Sequence, residues 1–210
     1  MNELGFQSIK ERYDQLDLDS CSNSTSEGWI FDAVLNLVKP KNILEIGFYR
    51  GGSAFLMMRL SEAFLTSIDP IYNETDDQLG RSAEDKYKIH AKEFECVEKI
   101  KDEFGGRFTF IQKRSDDKLP EIENKKFDLM FCDGEHRENG PRTDFNLALK
   151  LKIPFILADD WVQPQNYPKT TPTIWREEFS DKLKPLASFY REAMFMGSPI
   201  PMVLLKNMTI

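Results

Sequence analysis

Three carboxylates in this chain stand where apolar runs end. Asp133 follows F-D-L-M-F-C, and the pair Asp159-Asp160 follows P-F-I-L-A. If those runs are neighbouring strands, the acids come together at their tips, where they would repel and raise one another's pKa unless a cation neutralised them. Asp133, Asp159 and Asp160 are therefore candidate metal ligands. Oxygen-only donors favour a hard ion such as Mg²⁺ over Zn²⁺, which takes His or Cys. The first run continues as D-G-E-H, so His136, one of two histidines, lies three residues beyond Asp133 and over the same site. Competing readings make Asp159-Asp160 a cap for the next segment and His136 a surface loop residue.

A second constellation lies upstream. Ile43 to Ser53, I-L-E-I-G-F-Y-R-G-G-S, takes a short apolar run through Glu45 and Gly47 to the pair Gly51-Gly52. This reads as a parallel strand turning sharply into a helix, with glycines where the backbone needs φ > 0 or close approach of a ligand. The free N–H groups of that helix would face whatever is bound there. The spacing is G-x-x-x-G-G and not the G-x-G-x-x-G of dinucleotide enzymes, and a turn without a ligand is the competing reading. The next run, F-L-T-S-I-D, ends in Asp69 about twenty residues on, the spacing of an acid that accepts hydrogen bonds from a ribose. Together they imply a nucleoside-bearing cofactor.

Glu45 to Gly52, with Asp69, resembles motif I and the ribose acid of the class I S-adenosylmethionine-dependent methyltransferases. The D-x-x-H at Asp133 and His136, with D-D ending the next strand, is similar to their metal-dependent O-methyltransferase branch, which includes macrocin O-methyltransferase, cephalosporin hydroxylase-like sequences and, more distantly, catechol O-methyltransferase. The resemblance runs from about Ile43 to Asp160. It implies S-adenosylmethionine on Glu45, Gly47, Gly51, Gly52, Ser53, Asp69 and Asp133. It also implies Mg²⁺ on Asp133, Asp159 and Asp160, with His136 as general base. Ser115 and Asp116, in K-R-S-D-D, fall where the family places a Ser-acid pair beside the adenine, although both are also common turn and cap residues. Asp144 has a place in the family pattern, but it reads as a first-turn helix residue favoured by the macrodipole and is assigned there. The stretch L-K-L-K-I-P before the last acidic run lacks the family's Gly-Gly turn, which predicts altered loop geometry.

Elements that would position these residues can be read in order. Residues 1–25 form an N-terminal arm with Leu4, Phe6, Ile9, Tyr13 and Leu16 on an imperfect helix, and residues 26–210 form one domain. Ile30, Ala33, Val34, Leu37 and Val38 have helical spacing up to Lys39-Pro40. Residues 70–82 make a polar loop long enough to be a lid. Residues 83–103 form a charged helix with Tyr87, Phe94, Val97 and Ile100 inward, stopped by Gly105-Gly106, and His90 is solvated on it. Strand three is Phe108 to Gln112, and the helix after strand four starts near Pro141. A Pro-rich loop with Trp161 and Tyr167 either walls an acceptor pocket or packs on the surface. A helix from about Thr173 to Leu183 follows, then strands Leu186 to Arg191 and Met202 to Leu205, with Met194, Phe195 and Met196 packing beside them. The prediction is an α/β, Rossmann-like, doubly wound, mostly parallel seven-stranded sheet with an antiparallel C-terminal edge hairpin.

Composition narrows the partners. With 210 residues, 40% apolar and 30% charged, the chain suits one soluble domain. A net charge of -7 with no basic stripe argues against a nucleic-acid backbone. Cys21, Cys96 and Cys132 have no metal-ligand spacing and fit a reducing cytoplasm. No secretory leader or membrane-length apolar run is expected. The expected partner is a small-molecule hydroxyl acceptor, with a homodimer through the arm as a further expectation. A ligand sensor without turnover, a metal-independent methyltransferase and, against the glycine spacing, a dinucleotide oxidoreductase are the alternatives.

Overall fold

The computed structural model describes residues 11, 25–71, 83–117, 119–135, 139–162, 170–195 and 198–210. His136, Tyr167, Met196, nearly all of the N-terminal arm and residues 72–82 of the expected lid lie outside that set. So do the side chains of Tyr87, His90, Met194 and Phe195.

Helix α1 (Thr25–Val38) leads into β1 (Asn42–Ile46), α2 (Gly52–Arg59) and β2 (Phe64–Ile68). Helix α3 (Ala83–Phe104), a 3₁₀ turn at Gly105–Arg107 and β3 (Phe108–Ile111) follow. The chain continues through β4 (Leu129–Cys132), α4 (Asn139–Lys150), β5 (Phe155–Ala158), α5 (Thr171–Ile174), a π-helical turn (Trp175–Phe179), β6 (Leu183–Phe195) and β7 (Ser198–Asn207). The seven strands form one sheet in the order β3-β2-β1-β4-β5-β7-β6. The first five are parallel, while β7 runs antiparallel to both β5 and β6.

Strand runs that are apolar on successive residues feed two cores, because successive side chains point to opposite faces. Ile43, Leu129, Phe131, Leu157 and Leu204 join α1, α2 and α3 on one face. Leu44, Met130, Cys132, Ile156 and Leu205 join α4 and α5 on the other. The ligand crevice of such a sheet lies where the strand order reverses, between β1 and β4.

Several details differ from expectation. Leu37 is 63% exposed and Phe94 43% exposed, because Phe31, Val34 and Leu35 of α1 and Cys96, Val97 and Ile100 of α3 carry the contact with the sheet. The helix expected over 173–183 is one α turn and one π turn. The hairpin strands are longer than the proline content suggested. Pro199 and Pro201 lie on the part of β7 that pairs with β6 alone, beyond the Val203 to Lys206 stretch bonded to β5, so their missing N–H groups break no bond to β5. Before β5, Lys152 takes the left-handed φ of 54° usual for glycine, and Ile153 N–H bonds to the Ala148 carbonyl. This closes α4 as a Schellman turn does, with lysine in the glycine position. Among the described residues no helix is long and apolar enough to cross a membrane.

Candidate active site

The turn after β1 is built by backbone geometry and one carboxylate. Gly47 has φ 92°, and a Cβ there would stand 2.2 Å from the Asp133 carbonyl oxygen, so the close approach it permits is that of the backbone after β4. Gly51, at φ 76°, is the N-cap of α2, and its N–H donates to the Phe48 carbonyl at 2.8 Å. Gly52 opens α2 as a buried residue. Between them Tyr49 holds φ 47°, a conformation costly for a side chain with a Cβ. Asp69 holds it there: its Oδ2 accepts the N–H of Phe48 at 2.7 Å and of Tyr49 at 3.0 Å, while its Oδ1 accepts the N–H of Ile71 at 2.7 Å. Asp69 thus sits at the β2 tip as expected, and already organises the glycine turn.

Glu45 and Ser53 lie beneath that turn. Alternation along β1 aims Glu45 at α2, where the Ser53 hydroxyl donates to its Oε1 at 2.5 Å and the Ser67 hydroxyl of β2 donates to its Oε2. The carboxyl is fully buried, and burial pushes its pKa up to about 7 against the opposing effect of the two hydroxyls, with the nearby Asp69 charge adding to the rise. Its place in the site is as a buttress joining β1, β2 and α2.

At the β4 and β5 tips the sheet brings the three expected metal acids onto adjacent strands, since Cys132 pairs with Ala158. Asp133 donates its N–H to the Ile46 carbonyl and is half-buried. Asp159 is 3% exposed and its Oδ1 accepts the Asp160 N–H at 2.6 Å, beside the left-handed φ of 46° at Asp160. Among the described residues, no three His, Cys, Asp or Glu side chains are grouped to hold a metal ion. The three acids are neighbours along the strand tips, but Asp159 is turned back onto its own backbone.

The loop after β3 separates its candidates. Asp116 is half-exposed, and its Oδ1 accepts Arg114 Nε at 3.0 Å, while the Asp117 carboxylate closes the turn on the Arg114 N–H at 2.8 Å. Ser115 instead faces inward, where its hydroxyl hydrogen-bonds the Asp144 carboxyl. Asp144 is the residue that the sequence reading misplaced. Helix α4 begins at Asn139, so Asp144 stands in its second turn and is 3% exposed. Burial pushes its pKa up to about 7, the Ser115 hydrogen bond opposes the rise, and the charges of Asp116 and Glu135 add to it. The overlooked signal was spacing: Pro141, Asp144, Phe145 and Ala148 share one helix face, and an acid on an apolar stripe calls for a polar reason.

Two further contacts frame the site. Arg142 forks onto Glu178, Nε to Oε2 at 2.7 Å and Nη2 to Oε1 at 2.5 Å, tying α4 to the π turn. Trp161, directly after the acidic pair, packs on Trp175 with ring centroids 5.5 Å apart.

A doubly wound sheet of this order, with a glycine turn after β1, an acid at the β2 tip and acids at the β4 and β5 tips, defines a Rossmann-like methyltransferase. A family model described as a methyltransferase domain matches residues 44–161, more than half of the chain, and the chain belongs to that family. No curated protein matches it in sequence. Among solved structures it is similar to an O-methyltransferase from Bacillus cereus in complex with SAH, at 17% identity, TM-score 0.60, and 99% and 92% coverage of the two chains. It is also similar to the O-methyltransferase TomG from Streptomyces achromogenes, involved in tomaymycin synthesis and in complex with SAM, at 17% identity, TM-score 0.57 and coverage of 99% and 91%. The N-methyltransferase NodS from Bradyrhizobium japonicum, in complex with SAH, is 13% identical with TM-score 0.59 and coverage of 97% and 98%. Both oxygen and nitrogen acceptors occur on this fold, so the fold leaves the acceptor atom undecided.

Proposed function

We propose that this protein is an S-adenosylmethionine-dependent O-methyltransferase acting on a hydroxyl of a small molecule such as a sugar, a natural product or a catechol. The observation that supports the cofactor part is the Asp69 carboxylate, bound to the glycine turn near the N-terminus of α2, where it would accept hydrogen bonds from a ribose. Gly51 sets the left-handed turn that opens α2, whose N-terminus at Gly52 would meet the cofactor's amino-acid end, and Ser115 would lie on the adenine side. The oxygen acceptor is supported by the acids at the β4 and β5 tips together with His136. Asp133, Asp159 and Asp160 offer the donor type that suits Mg²⁺, and such an ion, when bound, lowers the pKa of an acceptor hydroxyl. His136 would take the proton. The protein's own contribution is alignment, holding the acceptor oxygen in line with the methyl group.

A metal-independent methyltransferase is the second reading, favoured by the Asp159 carboxylate, whose Oδ1 accepts the Asp160 N–H at 2.6 Å. A net charge of -7 supports a small-molecule partner over nucleic acid. The buried free thiols of Cys96 and Cys132 support a reducing cytoplasm, and a homodimer through the N-terminal arm belongs to the same proposal. The test is methyl transfer from S-adenosylmethionine to a catechol, a sugar and a polyketide panel, with Mg²⁺ and with EDTA. Turnover that EDTA abolishes and Mg²⁺ restores is expected; full turnover in EDTA selects the second reading, and binding of NAD in place of S-adenosylmethionine would overturn both.

A further inference from the structure

Helix α1 carries two apolar faces. Ile30, Phe31, Val34 and Leu35 are buried in the core on one side of the sheet. On the other side of the helix Trp29, Ala33 and Leu37 stand at i, i+4 and i+8, a single row along its surface, and all three are exposed, Trp29 by 44% and Leu37 by 63%. The remaining exposed residue among those described in α1 is Asn36, whose amide is tied back to the Asp32 carbonyl at 2.8 Å and to the Asp32 carboxylate at 3.0 Å. None of these four is charged, in a chain that is 30% charged. Helix α3 gives the contrast, with Lys92, Glu95, Lys99, Glu98 and Lys101 paired along its surface. An outer face that has tryptophan where a solvated helix has lysine and glutamate matches the composition of the centre of a protein interface.

We propose that this face packs on the same face of a second copy of the chain, α1 against α1 in opposite directions about a two-fold axis at Ala33. The inference rests on the homodimer reading above and names the surface the two copies share; the arm assigned to that dimer joins this same helix at Thr25. The spacing points to a second copy and not to an unlike partner. Ala33 stands four positions from Trp29 and four from Leu37, so a two-fold axis there sets each Trp29 on Leu37 of the partner subunit and leaves the smallest of the three side chains where the helices cross. A small residue at the crossing lets the helix axes approach to about 8 Å, and the i, i+4 row is the ridge that interdigitates in the commonest class of helix packing. Asn36, beside the row, brings its amide hydrogen bonds with it, so covering it leaves those donors satisfied.

The experiment is sedimentation equilibrium on the full chain at micromolar concentration, with oxidative cross-linking beside it. The wild type should be a dimer. Leu37→Asp and Trp29→Asp should each raise the dimer dissociation constant about thirtyfold or more, the loss expected at the centre of an interface. Ala33→Cys, a mild change at an exposed helix position, should give a disulfide-linked dimer beyond any that the wild type gives, because two-fold-related positions meet there. Leu186→Cys, on the exposed edge strand β6, should not. The cysteine variant also reports on the interface should an aspartate variant fail to fold. A wild-type dimer that both aspartate variants leave intact overturns the inference and keeps the homodimer reading. Dissociation in those variants without a cross-link through Ala33→Cys overturns the two-fold packing at Ala33, and with it the inference. A monomeric wild type would instead remove the homodimer reading on which the inference stands.

Discussion

Gly47 lies so close to Asp133 that a Cβ on the glycine would stand 2.2 Å from the aspartate's carbonyl oxygen. The contact joins the turn after β1 to the tip of β4, the two stretches from which cofactor and metal candidates come. Any side chain at Gly47 must push the Asp133 backbone away, and the φ of 92° adds strain of its own.

Gly47→Ala should therefore destabilise the protein by about 3 kcal/mol or more, whereas Gly106→Ala, with nothing within 4 Å of its Cβ, should change stability by less than about 1 kcal/mol. Urea midpoints measure both. Matching midpoints for the two variants would show that the β4 backbone yields to the added methyl.

Asp69→Ala removes the acceptor of three backbone N–H groups and the candidate ribose contact. S-adenosylhomocysteine affinity should fall by about 1.5 to 3 kcal/mol, the range for hydrogen bonds to a charged partner. Calorimetry decides it, and unchanged affinity would confine Asp69 to the turn.

Glu45 gives stability a pH dependence. Its pKa is raised from 4.5 to about 7, first by burial, so the fold favours the protonated carboxyl. That contribution is complete below the unfolded value and is lost as pH rises through about 7, and Asp144 acts in the same sense from 3.8. Wild-type stability should fall between about pH 5 and pH 8, and Glu45→Gln should flatten part of that fall. Urea midpoints across the range report the slope, and parallel profiles for the two proteins would show that Glu45 keeps an ordinary pKa.

His136→Ala should leave cofactor affinity nearly unchanged and lower turnover about 10² to 10⁴-fold, the usual share of general acid-base catalysis. The wild-type rate should rise with pH through an imidazole pKa near or below about 6.5. Wild-type turnover with the same pH profile in the variant would make the imidazole a bystander.

Local sequence determined the elements and the ends of the strands. Apolar runs that stop at Asp133 and Asp159, and the mixed run F-L-T-S-I before Asp69, read as buried strands with polar tips, and glycines beside such a run mark the turn, so the fold and the strand-tip location of the candidate residues were legible. Seven strands with an antiparallel closing pair followed from the same alternation. What each acid touches was not legible. Glu45 is met by hydroxyls 8 and 22 residues away, and Asp144 by a serine on the loop after β3, a strand that β2 and β1 separate from β4 in the sheet. Periodicity records backbone conformation and facing, which are local; burial and hydrogen-bond partnership depend on which distant strand lies alongside. That is why Asp144 read as a helix-end charge, and why Leu37 and Phe94 read as core: in each case the deciding neighbour came from another part of the chain.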